Sequence, residues 1–243
     1  MATASARFFS RHGPGILGVL RSNPEVIGVY PELSATVIPI AQELRLHRGD
    51  AVDVNVQVQD DKDPPDHVSL AGGVLRWAAK LGFGQTEREG VVVGNDGALI
   101  LKRSYDPREI EFTSDSNGQA VVHLRRADTR RLPLSQAAWD LEFTRPVGGI
   151  EIPSGASIYL VSGSPTAIAS GLNWETLQIM PGDLFTAQGK TVLVLTVPSA
   201  VHLELDFSGW NTGSLPNSGF RISAGQTKTL ASGPFIVDGD VVL

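Results

Sequence analysis

Residues 46–59 read LHRGDAVDVNVQVQ, and this stretch decides the fold class. Apolar and polar side chains alternate along it, with valine at positions 52, 54, 56 and 58 and a polar residue after each. Side chains at every second position share one face of a pleated strand, so we expect the valines to lie in a core. The register of such a strand is fixed, because a shift by one residue would exchange its two faces.

The tripeptide Arg48-Gly49-Asp50 precedes this strand and matches the motif that extracellular proteins present to adhesion receptors. An adhesion motif needs an exposed loop tip with free side chains, whereas Asp50 lies two residues from a strand of fixed register. We therefore predict that Gly49-Asp50 is the turn that feeds the strand, and that the tripeptide does not mediate adhesion.

The composition bounds the function. The chain has 243 residues, of which 42% are hydrophobic, enough for one large domain or two ordinary ones. It has no cysteine, which excludes a disulfide scaffold, a thiolate zinc site and a cysteine nucleophile. The net charge of −6 argues against a general nucleic-acid binder. We therefore expect no nucleic-acid partner. No apolar run approaches the roughly 18 residues of a membrane span, so a membrane is not an expected partner either.

Short strands separated by turn signals recur from Gln42 to Arg145 and predict a β-sandwich. Asp96-Gly97 and Asn117-Gly118 are strong hairpin signals, because both turn positions must tolerate positive φ. The predicted strands are Val52–Val58, Leu75–Ala79, Val91–Val93, Ala98–Leu101, Ile110–Thr113, Ala120–Leu124 and Trp139–Phe143.

Pro and Gly cluster at residues 145–155, and the composition changes there. Residues 1–153 carry 37 charged side chains, whereas residues 154–243 carry nine. We predict four segments: an extended N-terminal arm over 1–40, an immunoglobulin-like sandwich over 41–146, a linker over 147–153, and a second small β-sandwich or barrel over 154–243. The strands predicted in the last segment are Ile158–Val161, Val192–Val197, Val201–Phe207, Gly219–Ile222 and Phe235–Val237.

The arm is rich in Gly and Pro, and its apolar residues have no sustained period with which to pack internally. We expect it to dock on a partner surface. The candidate interaction residues are Phe8, Phe9, Ile16, Leu17, Val19 and Leu20.

Nothing in the sequence predicts catalysis, a cofactor or a metal site. The five histidines are scattered, and none has the spacing of a metal motif. Glu204 and Asp206 are expected on one solvated strand face, where a carboxylate pair could in principle serve glycoside hydrolysis. The one basic cluster, RRADTRR at 125–131, lacks interleaved aromatics and is interpreted as an exposed loop or a subunit contact. We therefore expect a protein that is not an enzyme.

Two stretches resemble modules of bacteriophage virions. Gly49-Asp50, Leu70–Ala79, Gly118–Leu124, Asp128-Thr129 and Trp139–Glu142 resemble the immunoglobulin-like N-terminal module of phage upper-baseplate and related tail proteins. A second set is similar to a β module of phage fibre and tail proteins, although Leu172 and Ala200-Val201 depart from its pattern; the matching residues are Gly171, Trp174, Pro181-Gly182-Asp183, Phe185, Leu203, Leu205, Trp210 and Phe220-Arg221-Ile222. These are turn and core types, and we expect Trp174, Phe185 and Trp210 to be core residues rather than ligand platforms.

The resemblance implies a structural virion protein of a tailed bacteriophage, in the tail, baseplate or neck, that acts in assembly by protein–protein contacts. Its expected partners are other virion proteins and further copies of itself, and its expected location is the virion, assembled in the host cytoplasm. Two alternatives stay open: a carbohydrate-binding module that attaches to a host surface glycan, and a capsid decoration protein.

Overall fold

A computed structural model describes residues 5–10, 40–41, 43–59, 67–81, 98–130, 132 and 136–238. Within them the chain is all-β, as predicted, and divides into two compact units. Unit 1 contains residues up to 71, residues 75–143 and residues from 228 onward, whereas unit 2 contains 72–74 and 144–227.

Unit 1 is a sandwich of two sheets. One sheet has the order β1-β4-β8-β7, and all its pairings are antiparallel. These strands are β1 (Ser5–Ser10), β4 (Val52–Gln59), β7 (Ile110–Ser114) and β8 (Gln119–Leu124). The valines of β4 are buried, whereas Asp53, Asn55 and Gln57 between them are not, so the strand prediction for residues 52–58 is confirmed.

The other sheet of unit 1 has the order β6-β5-β9-β16, where β5 without Val74 and only parts of β9 and β16 belong to the unit. Two short strands near the N-terminal side pair in parallel with β16: Ile40 lies opposite Ala231, and Leu44 lies opposite Phe235. The strands are β2 (Ile40–Ala41), β3 (Leu44–His47), β5 (Val74–Leu81), β6 (Ala98–Arg103), β9 (Gln136–Ile150) and β16 (Phe220–Asp238).

Aromatic residues fill the space between the two sheets of unit 1. The ring centroids of Trp77 and Trp139 are 6.4 Å apart in a stacked arrangement, and Phe235 meets Trp77 edge to face at 5.7 Å. The valine row of β4 belongs to the same core, together with Ile110 of β7. Because Phe235 is part of this cluster, the core of unit 1 includes residues from the far end of the sequence.

Unit 2 is built on one antiparallel series of strands with the order β15-β10-β11-β14-β13-β12-β16. Its strands are β10 (Ser157–Leu160), β11 (Thr166–Ser170), β12 (Leu184–Ala187), β13 (Lys190–Ser199), β14 (His202–Leu205) and β15 (Gly213–Pro216), with a short 3-10 turn at Asn217–Gly219. Trp174, Phe185 and Trp210 are buried in it, which confirms their assignment to the core.

The structure divides the chain differently from the predicted segments. Residues 147–150 belong to β9 instead of a linker, and residues 228–238 belong to unit 1 instead of a C-terminal domain. The separate strands predicted at 219–222 and 235–237 are parts of one long strand, β16, which serves unit 2 first and unit 1 afterwards. The number of charged residues per segment reflects how polar the surface is. It does not indicate which sheet a later strand joins, and the predicted boundary was therefore misplaced. The predicted strand at 91–93 lies outside the described residues.

Candidate interaction surfaces

The first candidate surface is the edge of unit 1 at which β1 pairs with β4. The register places Phe8 opposite Val56, whose side chain is in the core, and Phe9 opposite Asn55 on the other face. The remaining predicted interaction residues of the arm, Ile16, Leu17, Val19 and Leu20, lie outside the described residues. The structure therefore places two of the six candidates, and both lie on an edge strand.

The predicted basic loop is a one-turn helix, α1 (Arg126–Thr129), which is held by one cap contact and by two contacts to other parts of unit 1. The Asp128 carboxylate accepts a hydrogen bond from the Arg125 backbone N–H at 2.7 Å and forms an ion pair with the buried Lys102 ammonium at 2.6 Å. The Thr129 hydroxyl donates to the Asp50 carbonyl at 2.6 Å.

These contacts leave Arg126 at an exposed position, four residues before the exposed Arg130. Residues at this spacing share one side of a helical turn, so α1 and its C-cap carry two exposed arginines on one side. The buried Lys102 was missed by the sequence reading. The alternation of side chains along β6 could have indicated that Lys102 is buried, because Lys102 and the buried Ile100 lie on the same face of the strand.

Arg48-Gly49-Asp50 forms the predicted turn before β4. Gly49 has φ +90°, a conformation that side chains with a Cβ rarely adopt. The Asp50 N–H donates to the His47 carbonyl at 3.1 Å, and the Asp50 carbonyl accepts from Thr129. The backbone of the tripeptide is thus tied to its own unit on both sides, which is unlike the free loop tip that receptor binding requires.

His123 lies between two carboxylates on the outer face of the β4-β8-β7 sheet. Its Nδ1 is 2.8 Å from Asp53 Oδ1, and its Nε2 is 3.7 Å from Glu111 Oε2. In the part of the chain that the structure describes, no group of three or more His, Cys, Asp or Glu residues has a geometry that could hold a metal ion. We interpret the cluster as a cross-strand contact that links three strands.

Glu204 and Asp206 do not share a solvated face, and that expectation is wrong. Glu204 is exposed and accepts a hydrogen bond from the Thr196 hydroxyl at 3.1 Å, whereas Asp206 is buried. The physical reason is that β14 ends at Leu205, so the alternation of faces stops before Asp206. The two side chains therefore do not form the exposed pair that glycoside hydrolysis needs.

The outer face of unit 2 carries a row of directly opposed residues: Ser214, Tyr159, Ile168 and His202 on four neighbouring strands. Tyr159 is 45% exposed and Ile168 37% exposed, although both lie in the middle of the sheet. His202 is oriented by the Ser199 hydroxyl, 2.8 Å from its Nδ1. This row has one accessible aromatic ring, with a polar residue at each end.

The Pro181-Gly182-Asp183 stretch is a structural clamp. The buried Asp183 carboxylate accepts from the Met180 N–H at 2.8 Å and from the Gly225 N–H at 3.1 Å, which connects the turn before β12 to β16. A Cβ on Gly225 would overlap the Gly182 carbonyl oxygen, so glycine permits this close approach. The sequence alone indicates the turn but not the role of the Asp183 carboxylate.

No described helix is long and apolar enough to cross a membrane. A scan against protein-family models finds no match, and neither does a search of curated proteins.

Proposed function

We propose that this chain is a structural virion protein of a tailed bacteriophage, located in the tail, baseplate or neck, that acts in assembly through protein–protein contacts. The observation that carries the proposal is the strand order of unit 1. Its sheets β1-β4-β8-β7 and β6-β5-β9-β16 have the neighbour relations of the A-B-E-D and C′-C-F-G strands of an immunoglobulin-like sandwich. This is the fold that the resemblance to baseplate modules implies.

The residues that carry the resemblance also have the structural roles that such a module needs. Gly49 makes the turn before β4, and Gly118 has φ +68° where a Cβ would approach the Val68 carbonyl oxygen to 2.7 Å. Thr129 and Asp128 anchor α1 to the rest of unit 1. A match made of residues with such specific constraints supports the family proposal more than a match of interchangeable core residues would.

The experiment is to locate the protein in particles. Mass spectrometry of purified virions, followed by imaging with an antibody against this chain, should find it at a fixed copy number in the tail, baseplate or neck. Labelling over the capsid surface would instead support a decoration protein. Absence of the chain from purified, infectious particles would refute the proposal.

Carbohydrate binding at a host surface is the second candidate, and the row Ser214–Tyr159–Ile168–His202 favours it. An exposed aromatic ring can stack on a sugar ring, and the adjacent Ser214 hydroxyl and the His202 imidazole, two strands away, can bond the sugar hydroxyls. A glycan array probed with the wild type and with Tyr159→Ala should show a signal that the substitution abolishes. Equal signals from both proteins, or none from either, would reject this surface as a glycan site.

A further inference from the structure

We infer that β1 is exchanged between copies of this chain, so that the N-terminal strand of one copy completes the β4 edge of another. The inference deepens the proposed assembly function and rests on it for the presence of neighbouring copies. The occupant is the segment Ser5–Ser10 of a second copy, and the acceptor is the edge of β4 that β1 covers within one chain.

The edge of β4 requires a pairing strand to satisfy its backbone hydrogen-bonding groups. β1 is at the end of its sheet, and β4 is its neighbour there. Without β1, the outer backbone groups of β4 would form an open edge beside a row of buried valines, which is a template for strand addition. The register from Ser5 opposite Gln59 to Ser10 opposite Val54 shows that one six-residue strand covers this edge.

The same pairing can form within one chain or between two. A second copy supplies an identical β1, so exchange preserves every contact between β1 and β4, and the main cost is the lost freedom of the second molecule. In a symmetric assembly each exchanged strand also ties one subunit to the next, and several such ties offset that cost.

The length of the chain after β1 permits exchange. Residues 11–39 connect Ser10 to β2, and a fully extended segment of that length reaches about 95 Å, well beyond the diameter of one unit. A short connection would force β1 back onto its own β4, whereas this one can reach a neighbour.

The absence of cysteine from the sequence makes a direct test possible. Arg7 lies opposite Gln57 in the register, so Arg7→Cys and Gln57→Cys place one thiol on each side of the contact. The two single variants are purified, mixed in equal amounts, incubated and oxidised mildly. We expect a disulfide-linked heterodimer of the Arg7→Cys and Gln57→Cys chains, at least about tenfold above the control mixture, since exchange brings the thiols together in every occupied site.

The control mixture combines Arg7→Cys with Thr113→Cys, because Thr113 is exposed on the opposite edge strand, β7. A second pair, Phe9→Cys with Asn55→Cys, reports on the same register and is used if circular dichroism shows that a variant of the first pair is misfolded. A heterodimer yield equal to the control, with a disulfide only inside the doubly substituted Arg7→Cys/Gln57→Cys chain, would overturn the inference.

The test separates this inference from the proposed function. It uses purified protein, so a heterodimer from a chain that is absent from virions would support strand exchange and refute the virion assignment. A chain that is found in virions but cross-links only within itself would leave the assignment in place and refute the exchange.

Discussion

Asp183→Ala should destabilise unit 2 by about 2–4 kcal/mol. The buried Asp183 carboxylate accepts hydrogen bonds from two backbone N–H groups, those of Met180 and Gly225. Removing it leaves both part-buried donors without their acceptor; such a loss costs about 1–3 kcal/mol for a buried donor, and the partial access of water to these two donors places each cost in the lower half of that range. Asp183→Asn should cost less, because its amide oxygen can still accept one of the two bonds.

Hydrogen exchange followed by mass spectrometry is the suitable assay, because it reports on the two units separately, whereas a single melting curve assumes two-state unfolding. In Asp183→Ala, the amides of β12 and of the first half of β16 should lose protection, while those of β4 and β8 should not. The matched control is Glu204→Ala, since this carboxylate is exposed and accepts only a side-chain hydrogen bond. If Asp183→Ala changed protection no more than Glu204→Ala did, the clamp would have no energetic role.

Three further substitutions test other parts of the chain. Val54→Asp buries an unpaired charge and should cost more than about 3 kcal/mol in urea unfolding, whereas Ala51→Asp at the exposed neighbouring turn should change stability by less than about 0.5 kcal/mol; a folded Val54→Asp variant of unchanged midpoint would contradict the strand assignment. Gly118→Ala should cost at least about 1 kcal/mol, because φ is +68° and the new Cβ meets backbone oxygens, and an unchanged melting temperature would show that the turn can rearrange. Burial raises the pKa of the Glu109 carboxyl, although nearby Lys102 opposes the shift; the resulting stability is complete below the unfolded pKa of about 4.3 and is lost as pH rises through the folded pKa. The free energy of unfolding of the wild type, relative to Glu109→Gln, should therefore fall as pH rises from about 4, and parallel pH profiles would disprove this.

The sequence was sufficient for features that depend on local periodicity or on special backbone conformations. The alternation at residues 52–58 predicted both the strand and its buried face, and Gly49 and Gly118 marked turns that need positive φ. It was also sufficient to assign the large aromatic residues of unit 2 to a core, because such side chains bury the most area.

Features that depend on distant partners could not be predicted in the same way. Asp206 followed the period of β14 in sequence, but the strand ends one residue earlier and the side chain is buried. Composition suggested one domain after residue 153, yet residues 228–238 complete a sheet with strands from the first half of the chain. The ion pair of Lys102 with Asp128 joins a strand to a short helix, and no local pattern indicates which acid meets a buried base.

The membership of β16 in both units sets the order in which the protein can mature during synthesis. Leu44 leaves the ribosome early, but its strand partner Phe235 emerges only after all of unit 2 has been translated. Unit 2 can therefore fold first, while the sheet of unit 1 still lacks its last strand and part of its core. Loss of residues from 228 onward would consequently damage the unit that is made first and spare most of the one that is made second. The first half of the chain stays incompletely folded for the longest time and is therefore the part most open to misassembly. Chaperones that act late in synthesis should matter most for unit 1.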